Sequence, residues 1–344
     1  MKEMMTHHRG SMIFTIVTML LGFGYGMYLF GNIAGAMQVL FLMAILSILE
    51  ISLSIDNAIV NAKILEKMDE VWQQRFLTWG MLIAVFGLRI VFPVLVVSIA
   101  GNIGMFEAIQ LAINDQDRYS EVLSSSHILI AGFGGAFLFL VALDYFFDVE
   151  KDIHWIAVIE EKLSKLGERK SISIVITLLI MYYFTTILPE ADAMKFFMSG
   201  IFGIVCHEVV KLIGDLMESE KELTTAVAKT GLASFMYLEI LDASFSFDSV
   251  LGALVISKDI FIIAGGLAIG AMFVRSTTIQ LVHQGTLGEY KYLEHGAFYA
   301  ILTLATIMFV STIIHIPEVI TGALSISFIG IAFWHSVIIN KRES

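Results

Sequence analysis

One cysteine in 344 residues removes two kinds of chemistry from this chain. Cys206 has no partner for an intramolecular disulfide, and a thiolate-rich metal site is out of reach. Proline is nearly as scarce, with three, and charged residues make up only 15 %. The shortage of positive charge leaves a net −11, which argues against nucleic acid as a partner. No nucleotide-binding motif is present, so any transport must draw its energy from a gradient.

What the chain has in excess is hydrocarbon. Its mean hydropathy is +0.82 and 57 % of its residues are apolar. Runs of about 20 such residues are membrane-spanning helices by default. The expectation is an all-α polytopic membrane protein with about ten transmembrane helices, near 12–31, 37–64, 77–100, 127–147, 172–189, 196–214, 226–257, 260–283, 296–315 and 318–339. The first has no small-residue cleavage site and reads as an uncleaved span. With both ends inside, sixteen of the 21 Lys and Arg fall on the cytoplasmic side and three outside, with Arg89 and Arg275 inside spans. That bias predicts cytoplasmic termini.

The polar residues inside this hydrocarbon follow a pattern that occurs twice. Glu50-Ile-Ser-Leu-Ser54-Ile-Asp56-Asn57 returns 192 positions later as Asp242-Ala-Ser-Phe-Ser246-Phe-Asp248-Ser249. Each copy lies in an expected span longer than about 25 residues and is followed by a span with an arginine, Arg89 or Arg275. The duplication predicts two five-helix repeats, with 1–171 holding the first four spans and 172–344 the rest, span five belonging to the first repeat. An odd number of spans per repeat inverts the second copy and puts a site at midplane, where the two motifs face each other.

Two local geometries fit the motif. In a regular helix Glu50, Ser54, Asn57 and Asn61 share one stripe, as do Asp242, Ser246 and Ser249, joined by Glu239; Asp56 and Asp248 are turned about 120° away. In an unwound segment the period becomes two, and both acids of each copy point the same way. Broken helices in spans two and seven are the favoured expectation, because transporters bind ions where helices are discontinuous. Serines that back-bond within a regular helix are the alternative.

Glu50, Asp56, Glu239, Asp242 and Asp248 face Arg89 and Arg275, an excess of three negative charges. At roughly 2.5–3.5 kcal/mol per charge at a helix centre, such an excess is either protonated or balanced by a bound cation. The oxygen ligands on offer are those five carboxylates, with Ser54, Asn57, Ser246 and Ser249. They suit Mg²⁺, Ca²⁺ or Mn²⁺ better than Zn²⁺ or Cu⁺. Arg89 and Arg275 read as structural counter-charges. The bland alternative is that all of these residues only hold helices together.

Other features carry less. Cys206, His207 and Glu208 are helix neighbours that point to different faces. Asp144 sits at a span end, and Glu294 and His295 read as loop. Segment 148–171 spaces Ile153, Trp155, Ile156, Ile159, Leu163 and Leu166 as an interfacial amphipathic helix would.

At Leu49-Glu50-x-Ser52-Leu53-Ser54-x-Asp56-Asn57-Ala58, with Arg75, Trp79-Gly80 and Arg89, and at Phe245-x-x-Asp248-Ser249 with Asp259, Phe261 and Arg275, the sequence resembles the TerC family of bacterial membrane proteins, named for tellurium resistance. Leu251 stands where that family commonly has proline, and ten spans exceed its usual seven to nine, so the resemblance is to a longer, divergent branch. The resemblance implies a prokaryotic cytoplasmic membrane, an architecture similar to the LysE exporter superfamily, and export of Mn²⁺. The expected function is therefore a secondary exporter of a divalent cation, exchanged against protons, with the ion as substrate and no permanently bound cofactor. Its surroundings would be lipid, a homo-oligomer or other membrane and stress-response proteins. A non-transporting scaffold of a tellurite or stress complex is the rival. An intramembrane enzyme is disfavoured, because the paired aspartates lack a distinctive catalytic surround.

Overall fold

The computed structural model describes residues 2–80, 82–167, 171–218, 223–283 and 289–343. Among them there is no strand. The helices are α1 (Lys2–Phe30), α2 (Ile33–Leu53), α3 (Ile55–Glu66), α4 (Glu70–Arg75), α5 (Phe92–Ala100), α6 (Met105–Asn114), α7 (Gln116–Ser125), α8 (His127–Phe146), α9 (Ala157–Leu166), α10 (Ile172–Ile187), α11 (Glu190–Glu218), α12 (Leu223–Ile256), α13 (Ile260–His283), α14 (Leu293–Ser311) and α15 (Glu318–Glu343). Phe76–Gly80 and Ile83–Val91 are π-helical. The chain is an all-α, multi-pass membrane protein. Each of the ten expected spans falls on helix, and eight helices among the described residues are long and apolar enough to cross a bilayer. Of the other two, α10 is a shorter apolar helix, and α12 is 34 residues long with the second acidic motif along it.

The two motif helices differ. In the first, α2 ends at Leu53 and α3 begins at Ile55, with Ser54 (φ −114°, ψ 15°) between them. The interruption is narrow, since Ser54 N–H still donates to Glu50 O and Ala58 N–H to Ser54 O. The second is one continuous helix across residues 242–249, against the expectation of a break. Ser244 accounts for part of this: its hydroxyl donates to Ile240 O at 3.0 Å, so it is satisfied inside a regular helix.

The two halves interlock. α13 packs along α2 and α3, while the π-helical Ile83–Val91 segment packs against α12 and α13. Close approach of α13 to α2 requires Gly270, where a Cβ would lie 2.5 Å from that of Glu50. α8 and α13 are the most deeply buried spans.

The loop expected to be amphipathic forms a helix only over Ala157–Leu166, and it is held by a charge. Glu160 is completely buried. Its carboxylate accepts from His295 Nδ1 at 2.8 Å, Lys151 Nζ at 3.1 Å, Ile156 N at 3.2 Å and Trp155 N at 3.3 Å. Trp155 Nε1 in turn donates to His335 Nδ1 on α15. Ile153, Ile156, Ile159 and Leu166 remain exposed, and Leu163 packs on the core. His295, read from sequence as loop, lies in the first turn of α14, and Glu294 beside it pairs with Lys63 of α3 at 2.9 Å.

Burial alone would raise the Glu160 pKa, but the hydrogen bond and charge of His295, the Lys151 ammonium and the Ile156 N–H hold it at about 2. A carboxylate whose folded pKa lies below its ordinary value of about 4.3 adds stability that is complete above that value and lost as pH falls towards 2. Replacing it with glutamine strands a buried ammonium. The expected result for Glu160→Gln is a loss of about 3–5 kcal/mol, read as a lower thermal midpoint in detergent at pH 7. The gap between variant and wild type should narrow below pH 4.

Candidate metal-cargo site

Glu50 lies in the last turn of α2 and is fully buried. Its Oε1 accepts from Arg89 Nη2 and from Ser54 Oγ at 3.3 Å. Arg89 Nη1 donates to Ala84 O, five residues back in the same π-helical segment. The second copy repeats the pair: Asp242 Oδ2 accepts from Arg275 Nη2 at 3.1 Å. Glu50 and Asp242 open their respective motifs, so the duplication reappears as the same buried acid–arginine pair formed twice. Arg275 Nη1 also donates to Phe76 O at 2.6 Å, with the guanidinium 4.1 Å from the Phe76 ring centroid. The halves meet where Asn61 Nδ2 donates to Asp242 Oδ1 at 2.6 Å.

These side chains surround one small cavity, lined by Glu50, Ser54, Asn57, Asn61, Arg89, Asp242, Ser246, Arg275 and Thr278 above an apolar floor that includes Phe76. It leaves about 20 Å³ for the centre of a water-sized sphere, room for one water or one dehydrated ion. Of the stripes expected for a regular helix, Glu50, Ser54, Asn57 and Asn61 of the first copy face the cavity, with Asp242 and Ser246 of the second. Several of its polar atoms are buried without a hydrogen-bond partner: Glu50 Oε2, Asn57 Oδ1, Asn61 Oδ1 and Ser246 Oγ, with Arg89 Nε. Buried polar atoms left this way are rare and call for an explanation.

Not every predicted ligand is brought here. Asp56 is buried but does not line the cavity; its Oδ1 accepts the Asn57 N–H at 3.0 Å. The helical turn that aims Glu50 inward carries Asp56 off the stripe. Ser249 is fully buried with an unpartnered hydroxyl, also off the cavity. Glu239 stands behind Arg275, 3.9 Å from Nη2, with neither oxygen hydrogen-bonded. The side chain of Asp248 lies outside the described residues. Among those described, no group of three or more His, Cys, Asp or Glu is close enough to hold a metal ion. Elsewhere, Asp144 pairs with Lys211 at 2.6 Å and lies 3.7 Å from His207, which bonds Glu208 at 3.1 Å. Asn61 was visible on the sequence stripe; Thr278 had no signal, being one threonine among several on apolar helices.

The family comparison covers most of this geometry. The family described as "Protein of unknown function (DUF475)" matches residues 55–343. The chain belongs to that family. The match takes in Asn57, Asn61, Arg89, Asp242, Ser246 and Arg275, while Glu50 and Ser54 precede it. No curated protein and no solved structure matches the chain.

One glycine controls how closely the π-helical segment approaches the second pair. A Cβ on Gly80 would stand 2.4 Å from Glu239 Oε1 and 2.5 Å from Arg275 Nη1. Gly24, on α1, has nothing within 4 Å of a Cβ. Gly80→Ala should cost about 1–3 kcal/mol through overpacking against charged groups. Gly24→Ala should be neutral or gain up to about 1 kcal/mol of helix propensity. Paired thermal melts of the two variants check the contrast.

Proposed function

We propose that the chain is a secondary transporter that exports a divalent cation, with Mn²⁺ the favoured cargo and Ca²⁺ or Mg²⁺ the nearest alternatives. The observation that carries this reading is the set of unpartnered oxygens around a one-ion cavity: carboxylate, amide and hydroxyl, with no sulfur among them. Oxygen-only ligation is the preference of hard divalent cations. Glu50 and Asp242 supply charge; Ser54, Asn57, Asn61 and Ser246 are neutral donors. Asp56, Glu239 and Ser249 stand off the cavity lining and serve as reserve ligands in this reading, and Asp248 keeps its place as a candidate ligand by its position in the motif alone. The TerC resemblance of the two cores supports the same cargo and a prokaryotic cytoplasmic membrane, and the sixteen-to-three bias of Lys and Arg supports cytoplasmic termini. Coupling to protons follows from the surplus of buried acids, one of which can carry a proton in exchange for the ion.

A second reading has one observation in its favour. Both cavity acids are already paired with arginine, as expected of a membrane scaffold whose charges only tie helices together.

Inside-out vesicles separate the two. Wild-type vesicles should accumulate radioactive Mn²⁺ against its gradient, and collapse of the proton gradient should stop it. Glu50→Gln and Asp242→Asn should each cut the initial rate at least about tenfold, the loss expected when one charged ligand is removed. A folded protein that moves none of Mn²⁺, Ca²⁺, Mg²⁺ or Zn²⁺ would establish the scaffold instead.

A further inference from the structure

Four carboxylate oxygens face the cavity, and three are already occupied. Glu50 Oε1 holds Arg89, Asp242 Oδ2 holds Arg275, and Asp242 Oδ1 holds Asn61. Glu50 Oε2 alone has no hydrogen-bond partner. A divalent ion placed here would have one free carboxylate oxygen and two guanidinium groups at close range. With each carboxylate already neutralised by an arginine, the site offers a divalent ion no net charge, and one carboxylate oxygen with a few neutral oxygens does not offset its loss of hydration. In this geometry the two arginines and a divalent ion compete for the same carboxylates.

Each guanidinium also has somewhere else to go. Arg89 is anchored by a second nitrogen on Ala84 O. Arg275 is anchored on Phe76 O and over the Phe76 ring, an arrangement that keeps a cation satisfied after it leaves a carboxylate. Beside Arg275 stands the partly buried Glu239, 3.9 Å away, its two oxygens shielded and without a hydrogen bond. Glu239 lies one helical turn before Asp242, so a small swing of Arg275 moves it from one acid to the other.

We infer that Arg89 and Arg275 are tethered competitors of the cargo: they neutralise Glu50 and Asp242 while no ion is bound, and the ion binds by displacing them, Arg275 passing to Glu239. This inference rests on the reading of the cavity as a cation site. It gives the arginines a task beyond holding helices together. An empty carrier whose acids are covered from within crosses back without dragging stray monovalent cations along.

The test is Mn²⁺ binding to purified protein in lipid nanodiscs, followed by calorimetry. Arg89→Gln should bind Mn²⁺ at least about tenfold more tightly than wild type, because a unit charge within hydrogen-bonding reach of the site is gone. A folded Arg89→Gln that binds no more tightly than wild type overturns the displacement and leaves the cation site standing. Absence of Mn²⁺, Ca²⁺ and Mg²⁺ binding by both folded proteins overturns the cation site, and the inference with it. Arg89→Gln leaves Glu50 buried without its partner, so a second measurement uses wild type alone. Protein carrying ¹⁵N-arginine should show shifted guanidinium bands in the infrared difference spectrum when Mn²⁺ is added. Binding with those bands unmoved would equally overturn the displacement.

Discussion

Carboxylates inside hydrocarbon are tolerated only when something neutralises them, and most of the core follows from how that is done here. Arginine is the partner that can reach across a helix interface and still use its remaining N–H groups. Arg89 and Arg275 both do so, each spending one nitrogen on an acid and another on a backbone carbonyl. The second bond matters as much as the first, because a guanidinium with idle donors in an apolar setting would be costly in its own right. Backbone carbonyls become available where helical hydrogen bonding is irregular. Arg89 takes its carbonyl within the π-helical Ile83–Val91 segment, and Arg275 takes one at the start of Phe76–Gly80. Departures from α-helix of this kind gather at functional sites.

Close packing is the price of this arrangement. Side chains of this length reach their partners only if the backbones come near, and Gly270 and Gly80 mark where they do. α13 therefore serves both halves: one part of its surface lies against α2 beside Glu50, and its Arg275 pairs with Asp242 on α12. Asn61 closes the circuit from α3. Disturbance at one acid–arginine pair is in consequence felt at the other, since both border the same small cavity.

Helical periodicity made the inward stripe legible from residues alone: Glu50, Ser54, Asn57 and Asn61 are spaced as they are later found, and the arginines could be named as counter-charges from their place in otherwise apolar spans. The alternating pattern of the motif was the misleading signal. Ser-apolar-Ser-apolar reads as an extended segment, yet α12 stays helical, with the Ser244 hydroxyl satisfied on the preceding turn, and the first copy bends only at Ser54. Asp56 was grouped with Glu50 by type; the helix turn between them sends it elsewhere. Glu160 could not have been foreseen. Its neighbours suggest a helix lying on lipid by its apolar side, whereas its position is set by His295, 135 residues away in sequence. Contacts between distant segments leave no mark on local spacing.

The polarity of the unpartnered atoms decides what kind of solute the cavity suits. Two arginines facing a buried space would ordinarily suggest an anion, but their charge is already spent on Glu50 and Asp242, and among the fully buried unpartnered atoms that line the cavity Arg89 Nε is the one nitrogen, against the oxygens of Glu50, Asn57, Asn61 and Ser246. The orientation of Asn61 is fixed by Asp242: its amide nitrogen faces the carboxylate, which turns its carbonyl oxygen away as an acceptor. Glu50 Oε2 is an acceptor at any pH at which the acid is ionised. Ser246 can accept as readily as donate. Acceptors in this proportion, around room for a single small particle, favour a cation stripped of its water over an oxyanion, which would need donors that these arginines no longer offer.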